Sequence, residues 1–140
     1  MIRSAWICVF LLCIVQGVAA DSPHWTRASP KDRARANPYA NQDDAVRAGR
    51  RLFDDHCAKC HGADALGRGK RPNLRSREVQ EATDGEIFWL LTNGSLRKGM
   101  PSWSALPEAS RWQLVTFLKS LRVAEGSRPA QQAGGPENEP

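Results

Sequence analysis

The chain has 140 residues, a length that favours one domain, and it carries a net charge of +5. Its basic residues are not interleaved with aromatic side chains that could stack on bases, so this composition argues against a nucleic-acid-binding protein. A modest positive charge suits an acidic protein partner better.

The first 20 residues have the three parts of a secretory signal. A positive start is followed by an unbroken apolar run over 5–15 and by small residues before Asp21. We expect this segment to be removed on export. An uncleaved anchor is the alternative, although the run is shorter than the roughly 20 residues of a spanning helix. Cys13 would allow a lipoprotein, but Leu12 is a poor neighbour for lipid attachment.

The remaining chain divides by composition into three parts. Residues 21–40 contain three prolines and little apolar content, which predicts an extended leader or linker. Residues 41–126 are the foldable domain. Residues 127–140 are poor in apolar side chains and rich in Gly, Pro and Glu, which predicts a disordered tail.

The domain shows helical periodicity and no convincing strand alternation. A first helix is predicted over 42–56, where apolar and small residues recur at spacings of three and four. A second is predicted over 84–92, opened by a capping box of Thr83 and Glu86. A third is predicted over 107–122, and a weaker helical turn near 75–80.

The first helix leads into Cys57-Ala58-Lys59-Cys60-His61, a C-x-x-C-H motif typical of covalent haem attachment. The two-residue gap lets both sulfurs reach one edge of a porphyrin ring. The histidine that follows then lies beneath the iron, for which imidazole is a good ligand. Without residues 1–20, Cys57 and Cys60 are the only cysteines left.

Three other uses of this motif stay open. A redox-active C-x-x-C would be expected in a strand–helix setting, which is absent from the pattern. A zinc site could combine Cys57 and Cys60 with His56 or His61, although its ligands would be crowded into a few residues. A simple disulfide would leave His61 unexplained.

Met100 is the candidate for a second axial ligand, and it is the only methionine after residue 20. Gly99 and Pro101 flank it and exclude a regular helix, so it lies on a stiffened loop and not in a helical apolar stripe. A His/Met pair is a common choice for electron transfer. His24, in the leader, is the competing candidate for a bis-histidine iron, and His56 is expected to be solvated.

Across residues 41–122 these features together resemble class I cytochrome c. The order is an amphipathic helix, the C-x-x-C-H motif, a proline loop, a helix, a Gly-Met-Pro loop and a final helix. The resemblance implies an all-α, compact cytochrome c fold with three main helices wrapped around one covalently attached haem c. It also implies that Gly49 and Phe53 meet the last helix, through Leu114 and Phe117.

The resemblance assigns further residues around the haem. Pro72 corresponds to the family proline whose carbonyl accepts the second ring N–H of His61. Leu74 would form a wall of the pocket. Trp89 and Trp103 are candidates to border the ring or reach a propionate, and an indole is equally often simple core.

The function implied is that of an exported, monohaem bacterial cytochrome that transfers single electrons in a respiratory chain through His61- and Met100-ligated iron, without enzymatic activity. We expect a periplasmic protein with redox partners such as a dehydrogenase or terminal oxidase, and association with a membrane complex stays open. Six basic residues either form a rim that steers acidic partners to the haem edge or belong to an ordinary solvated surface: Lys59, Arg68, Lys70, Arg71, Arg97 and Lys98. The alternatives are an enzyme or gas sensor with five-coordinate haem, and a structural or zinc-binding domain.

Overall fold

The computed structural model describes residues 27–126, with the backbone alone for 123–126. The predicted signal segment, His24, the first part of the leader and the predicted tail lie outside these residues. Between residues 27 and 126 the chain forms helices and no strand, apart from one isolated antiparallel bridge between Ser95 and Met100. The prediction of an all-α fold is confirmed. In the same part of the chain, no helix is both long and apolar enough to cross a membrane.

The helices of residues 27–126 follow the predicted order, with short ones added. They are α1 (Pro30–Arg33), α2 (Asp43–His56), α3 (Ala58–His61), α4 (Arg77–Glu81), α5 (Asp84–Asn93) and α6 (Glu108–Gly126), with a 3-10 turn at Leu96–Lys98. The three long helices, α2, α5 and α6, are those that the apolar periodicity predicts. The helical turn predicted near 75–80 is present as α4.

Helices α2 and α6 cross at very short range. A β-carbon built on Gly49 would lie 2.0 Å from the Gln113 carbonyl oxygen and 2.7 Å from the Phe117 β-carbon. One turn further along α2, the rings of Phe53 and Phe117 lie 5.2 Å apart, and Phe53 is completely buried. Phe117 therefore meets α2 as predicted, whereas the atom nearest Gly49 belongs to Gln113 and not to Leu114.

Helix α5 begins and ends where its sequence signals predict. The Thr83 hydroxyl accepts from the Glu86 amide at 3.1 Å, and the Glu86 carboxylate accepts from the Thr83 amide at 2.8 Å. Such a cap contributes about 1 kcal/mol to helix stability. Gly94 ends the helix with a positive φ of 69°. The chain then turns directly into the segment that carries Met100.

Residues 27–40, here called the strap, differ from the extended leader predicted for 21–40. Ser29 and Asp32 form a capping box that opens α1. The Asp32 carbonyl lies so close to α5 that a β-carbon on Gly85 would be 2.0 Å away. Further along, the Asn37 amide donates to the Thr116 hydroxyl of α6 at 3.0 Å. The strap is therefore packed on the domain and covers parts of α5 and α6.

Candidate haem site

The two cysteines and His61 lie on one short helical turn. Helix α2 ends at His56, and the Cys57 amide still donates to the Phe53 carbonyl at 2.8 Å. Helix α3 follows at once, with the His61 amide donating to the Cys57 carbonyl at 2.9 Å. Because residues three and four apart share a helix face, Cys57, Cys60 and His61 project to the same side.

The two thiols have different surroundings. Both are free, with Cys57 half-buried and Cys60 exposed. Burial, reinforced by the neighbouring Cys60, raises the pKa of the Cys57 thiol to about 11. Cys57 borders the main core cluster, so one thiol contacts apolar side chains while the other is open to solvent.

The His61 ring is oriented by a carbonyl on the following loop. Its Nδ1 atom lies 3.3 Å from the Pro72 carbonyl oxygen, which accepts the Nδ1–H and leaves Nε2 for a metal. Burial lowers the pKa of His61; the Pro72 hydrogen bond acts in the opposite direction, and the positive charge of Arg71 lowers it further. Both lowering effects favour the neutral imidazole, which is the form that ligates metals.

The loop between His61 and α4 is held by backbone hydrogen bonds. The Gly67 amide donates to the His61 carbonyl at 2.8 Å, and the Leu74 amide donates to the Ala65 carbonyl at 2.8 Å. Leu74 is half-buried and packs against the core cluster. The backbone of this loop therefore fixes the position of the carbonyl that orients His61.

Met100 lies on a second loop, closed by a two-way backbone pair. The Ser95 amide donates to the Met100 carbonyl at 2.8 Å, and the Met100 amide donates to the Ser95 carbonyl at 3.1 Å. Gly94 is required at the base of this loop, because a β-carbon there would lie 2.6 Å from the Pro101 carbonyl carbon. Trp103 anchors the exit, its amide donating to the Leu91 carbonyl at 2.8 Å. Met100 is half-buried against the core cluster.

Not all of the predicted site residues border the core cluster. Four of them border that cluster as half-buried side chains: Cys57, Leu74, Met100 and Trp103. The Trp103 ring also lies 5.2 Å from the His56 ring, so His56 is exposed but has an aromatic neighbour. Trp89 is half-buried on α5 and is not one of the described side chains that border the cluster.

Two residues of this region were not predicted as parts of the site. Arg71 joins the two loops, its Nη1 donating to the Lys98 carbonyl at 2.6 Å. Ser95 is 5% exposed, and its hydroxyl has no hydrogen-bond partner among the described residues. No local pattern marks either residue, because each gains its role from a segment several residues away along the chain.

A family model described as cytochrome c oxidase, cbb3-type, subunit III matches residues 44–118, more than half of the chain. The chain belongs to this cytochrome c family. The match begins within α2 and ends within α6, so it contains both loops of the candidate site.

Individual cytochromes agree with this assignment. Cytochrome c550 of Pseudomonas aeruginosa is 33% identical over 92 residues, which cover 63% of this chain and 63% of that protein. The CcoP subunit of the cbb3-type cytochrome c oxidase of Rubrivivax gelatinosus is 32% identical over 102 residues, covering 71% of this chain and 33% of the subunit. The chain therefore spans less than two thirds of either relative.

A solved structure supports the fold. Cytochrome cL from the marine methylotroph Methylophaga aminisulfidivorans superimposes with a TM-score of 0.52, covering 71% of this chain and 75% of that one. Its sequence identity is 24%, so the likeness concerns the fold alone. The predicted cytochrome c fold is confirmed by the family match and this superposition together.

Membership of the cytochrome c family implies a covalently bound haem c, and Cys57 and Cys60 are positioned for its attachment. The donor set fits this cofactor: two thiols and an oriented imidazole lie on one helical turn, and Cys57 and Met100 border one apolar cluster. The unpartnered Ser95 hydroxyl fits as well. Paired residues of an antiparallel bridge share a face, so Ser95 and Met100 face the same side, and a buried hydroxyl there suits a group with acceptor oxygens.

Proposed function

We propose that this protein is an exported monohaem cytochrome c that carries single electrons between redox protein partners and catalyses no reaction of its own. The observation that carries the proposal is the placement of both thiols and His61 on one face, with the His61 ring tied to the Pro72 carbonyl. When bound there, haem supplies a reversible one-electron couple between Fe(II) and Fe(III).

The protein's own residues define the proposed coordination. His61 offers Nε2, since Nδ1–H is donated to Pro72. Met100 offers its thioether from a loop that the Ser95 pair and the Trp103 amide hold in place. Two strong axial ligands would leave no open position for a substrate, which suits electron transfer and not catalysis. Methionine sulfur also favours the reduced state and raises the potential.

The surface around these two loops suits protein partners. Arg71 of the predicted rim is partly buried. The other five basic side chains are exposed: Lys59, Arg68, Lys70, Arg97 and Lys98. Two large apolar side chains are also exposed nearby in sequence, Leu66 at 50% and Leu96 at 79%. Charge steers encounter and apolar contact stabilises the docked pair, so we assign this surface to acidic redox partners.

The names of two relatives set the partner classes that we propose. One is a subunit of a cbb3-type cytochrome c oxidase, and another is a quinohemoprotein alcohol dehydrogenase from Pseudomonas putida, 32% identical over 76 residues. We propose a terminal oxidase or a dehydrogenase as the partner of this chain, in the bacterial periplasm. Residues 1–20 are the proposed export signal, and the mature protein should begin at Asp21 when sequenced from its N-terminus.

Visible spectroscopy tests the core of the proposal. The chain is produced with haem-maturation machinery and compared with Met100→Ala and, as a control on the same loop, Leu96→Ala. We expect a coloured protein that keeps its haem on a denaturing gel, a low-spin spectrum, and slow CO binding by the reduced form. Met100→Ala should become high-spin and bind CO rapidly, and Leu96→Ala should match the parent.

Each failure has its own meaning. A colourless product would exclude an electron carrier and would favour a zinc-binding or structural domain. A parent protein that is high-spin and binds CO at once would favour a five-coordinate enzyme or sensor. A Met100→Ala variant with an unchanged spectrum would leave the haem in place and exclude Met100 as the second ligand.

A further inference from the structure

Arg71 bridges the two loops that carry the proposed axial ligands. Its backbone belongs to the His61 loop, directly before Pro72, and its guanidinium reaches the Met100 loop at the Lys98 carbonyl, 2.6 Å away. The bonded residues are 27 positions apart in the chain. This hydrogen bond therefore joins two loops that are distant in the chain.

The His61 side of the bridge is closely packed. The Arg71 amide donates to the Arg68 carbonyl at 2.9 Å. Its carbonyl lies against Gly67, where a β-carbon would be only 2.4 Å away, and Gly67 itself donates to the His61 carbonyl. The Arg71 backbone is therefore part of a closely packed turn that is hydrogen-bonded to the His61 carbonyl.

The Met100 side is equally constrained. Gly99 has a left-handed φ of 73°, and a β-carbon there would lie 2.9 Å from Nη1 and 3.2 Å from Nη2 of Arg71. The guanidinium thus packs on the glycine that directly precedes Met100. The Ser95–Met100 pair closes this loop, so the Lys98 carbonyl and Gly99 belong to the same short hydrogen-bonded turn as Met100.

We propose that Arg71 is a positioning residue that holds the Met100 loop against the His61 loop and so keeps the methionine from moving away from the metal. The link to the metal rests on the ligation in the proposed function; the link between the loops does not. Loss of the bridge should loosen the loop and make the position held by the methionine easier for an external ligand to take.

An arginine is suited to this position for a geometric reason. Its planar guanidinium donates from more than one nitrogen in a fixed arrangement, so it can bond the Lys98 carbonyl while lying on Gly99. A lysine keeps the charge but offers a flexible point donor. Arg71→Lys therefore separates the geometric role from the charge, and Arg71→Gln removes both.

The test compares Arg71→Gln and Arg71→Lys with Arg97→Gln in the haem-loaded protein. Arg97 is the matched control, because it is an exposed arginine on the Met100 loop and its loss changes the charge equally. The readouts are amide hydrogen exchange at Gly99 and Met100, both hydrogen-bonded in the loop, and imidazole binding to the ferric protein. We expect roughly fivefold to tenfold faster exchange and similarly tighter imidazole binding for both Arg71 variants, and less than a twofold change for Arg97→Gln.

The outcomes separate this proposal from the ligand assignment. If the Arg71 variants exchange no faster than Arg97→Gln, the bridge is overturned, whatever ligates the iron. If exchange accelerates but imidazole affinity stays constant, the loop is held by Arg71 and its link to the metal is wrong. If Arg71→Gln fails to take up haem, Arg71→Lys, which keeps the charge, gives the same comparison.

Discussion

At the residue scale, Gly49 shows how a contact overrides an intrinsic preference. Glycine in a helix interior costs about 1 kcal/mol relative to alanine, so on local grounds Gly49 weakens α2. It is kept at a point where the backbone of α6 comes too near for any β-carbon, 2.0 Å from the Gln113 oxygen. The crossing of the two long helices, and with it the start of the haem-attachment segment, depends on this absent side chain.

Gly49→Ala therefore tests which effect is larger. Propensity alone predicts a gain of about 1 kcal/mol in the free energy of unfolding, whereas overpacking at the crossing costs about 1–3 kcal/mol. We expect a net loss of up to about 2 kcal/mol on these terms, measured by denaturant unfolding of the haem-loaded protein. Ala48→Gly, the reverse change one position earlier, measures the effect of helix propensity separately from that of packing. A more stable Gly49→Ala variant would show that α2 and α6 are further apart than described.

At the scale of the elements, one arginine of the strap lies in an aromatic setting. The Arg35 guanidinium lies 4.3 Å from the centre of the Phe88 ring and 5.2 Å from that of Trp112. It also donates to the Glu108 carboxylate at 2.6 Å, at the start of α6. Phe88 and Trp112 stack at 3.9 Å between centroids, so Arg35 covers an aromatic pair that joins α5 to α6.

Arg35→Ala should loosen the strap. Cation–π contacts contribute about 0.5–2 kcal/mol and an exposed ion pair up to about 1 kcal/mol, so we expect a loss of about 1–2 kcal/mol in the free energy of unfolding. Arg47→Ala is the control, because Arg47 is an exposed partner of Asp44 on α2 and should change stability by less than about 0.5 kcal/mol. Limited proteolysis should cut residues 27–40 faster in Arg35→Ala; equal cutting of all three proteins would contradict the role of Arg35.

At the scale of the whole molecule, the distribution of charge decides how partners approach. The chain has a net charge of +5, and the exposed members of the rim lie on the segments that flank the candidate haem site. Charges of one sign beside the proposed haem site would raise the rate of encounter with partners of opposite charge, and added salt would screen this effect.

Small redox reagents of opposite charge test this field without a known partner. Raising the ionic strength from about 0.01 M to about 0.15 M shortens the Debye length from about 30 Å to about 8 Å. Electron exchange with anionic hexacyanoferrate should slow severalfold, and exchange with a cationic cobalt complex should accelerate. Neutralising Lys70 and Arg97 should flatten both responses. Equal salt dependence for the two reagents would exclude a basic rim around the exposed haem edge.

The features that could be derived from residue order are those carried by neighbouring residues. The C-x-x-C-H motif, the α5 capping box, the glycine that ends α5 and the periodicity of the long helices each depend on a few consecutive side chains. The orientation of His61 by Pro72 was available through family resemblance, and the structure has that contact at 3.3 Å. The roles of the axial ligands and pocket residues stay predictions.

Packing decided the remaining features, because they join segments far apart in the chain. By its sequence the strap is a proline-rich leader, whereas in the structure Arg35 contacts Phe88, Trp112 and Glu108. By its sequence Arg71 is one basic residue among several, whereas in the structure it is hydrogen-bonded to the Lys98 carbonyl of the Met100 loop. Periodicity and capping follow from local backbone geometry, whereas these contacts depend on where the helices bring distant loops, which no short stretch of sequence encodes.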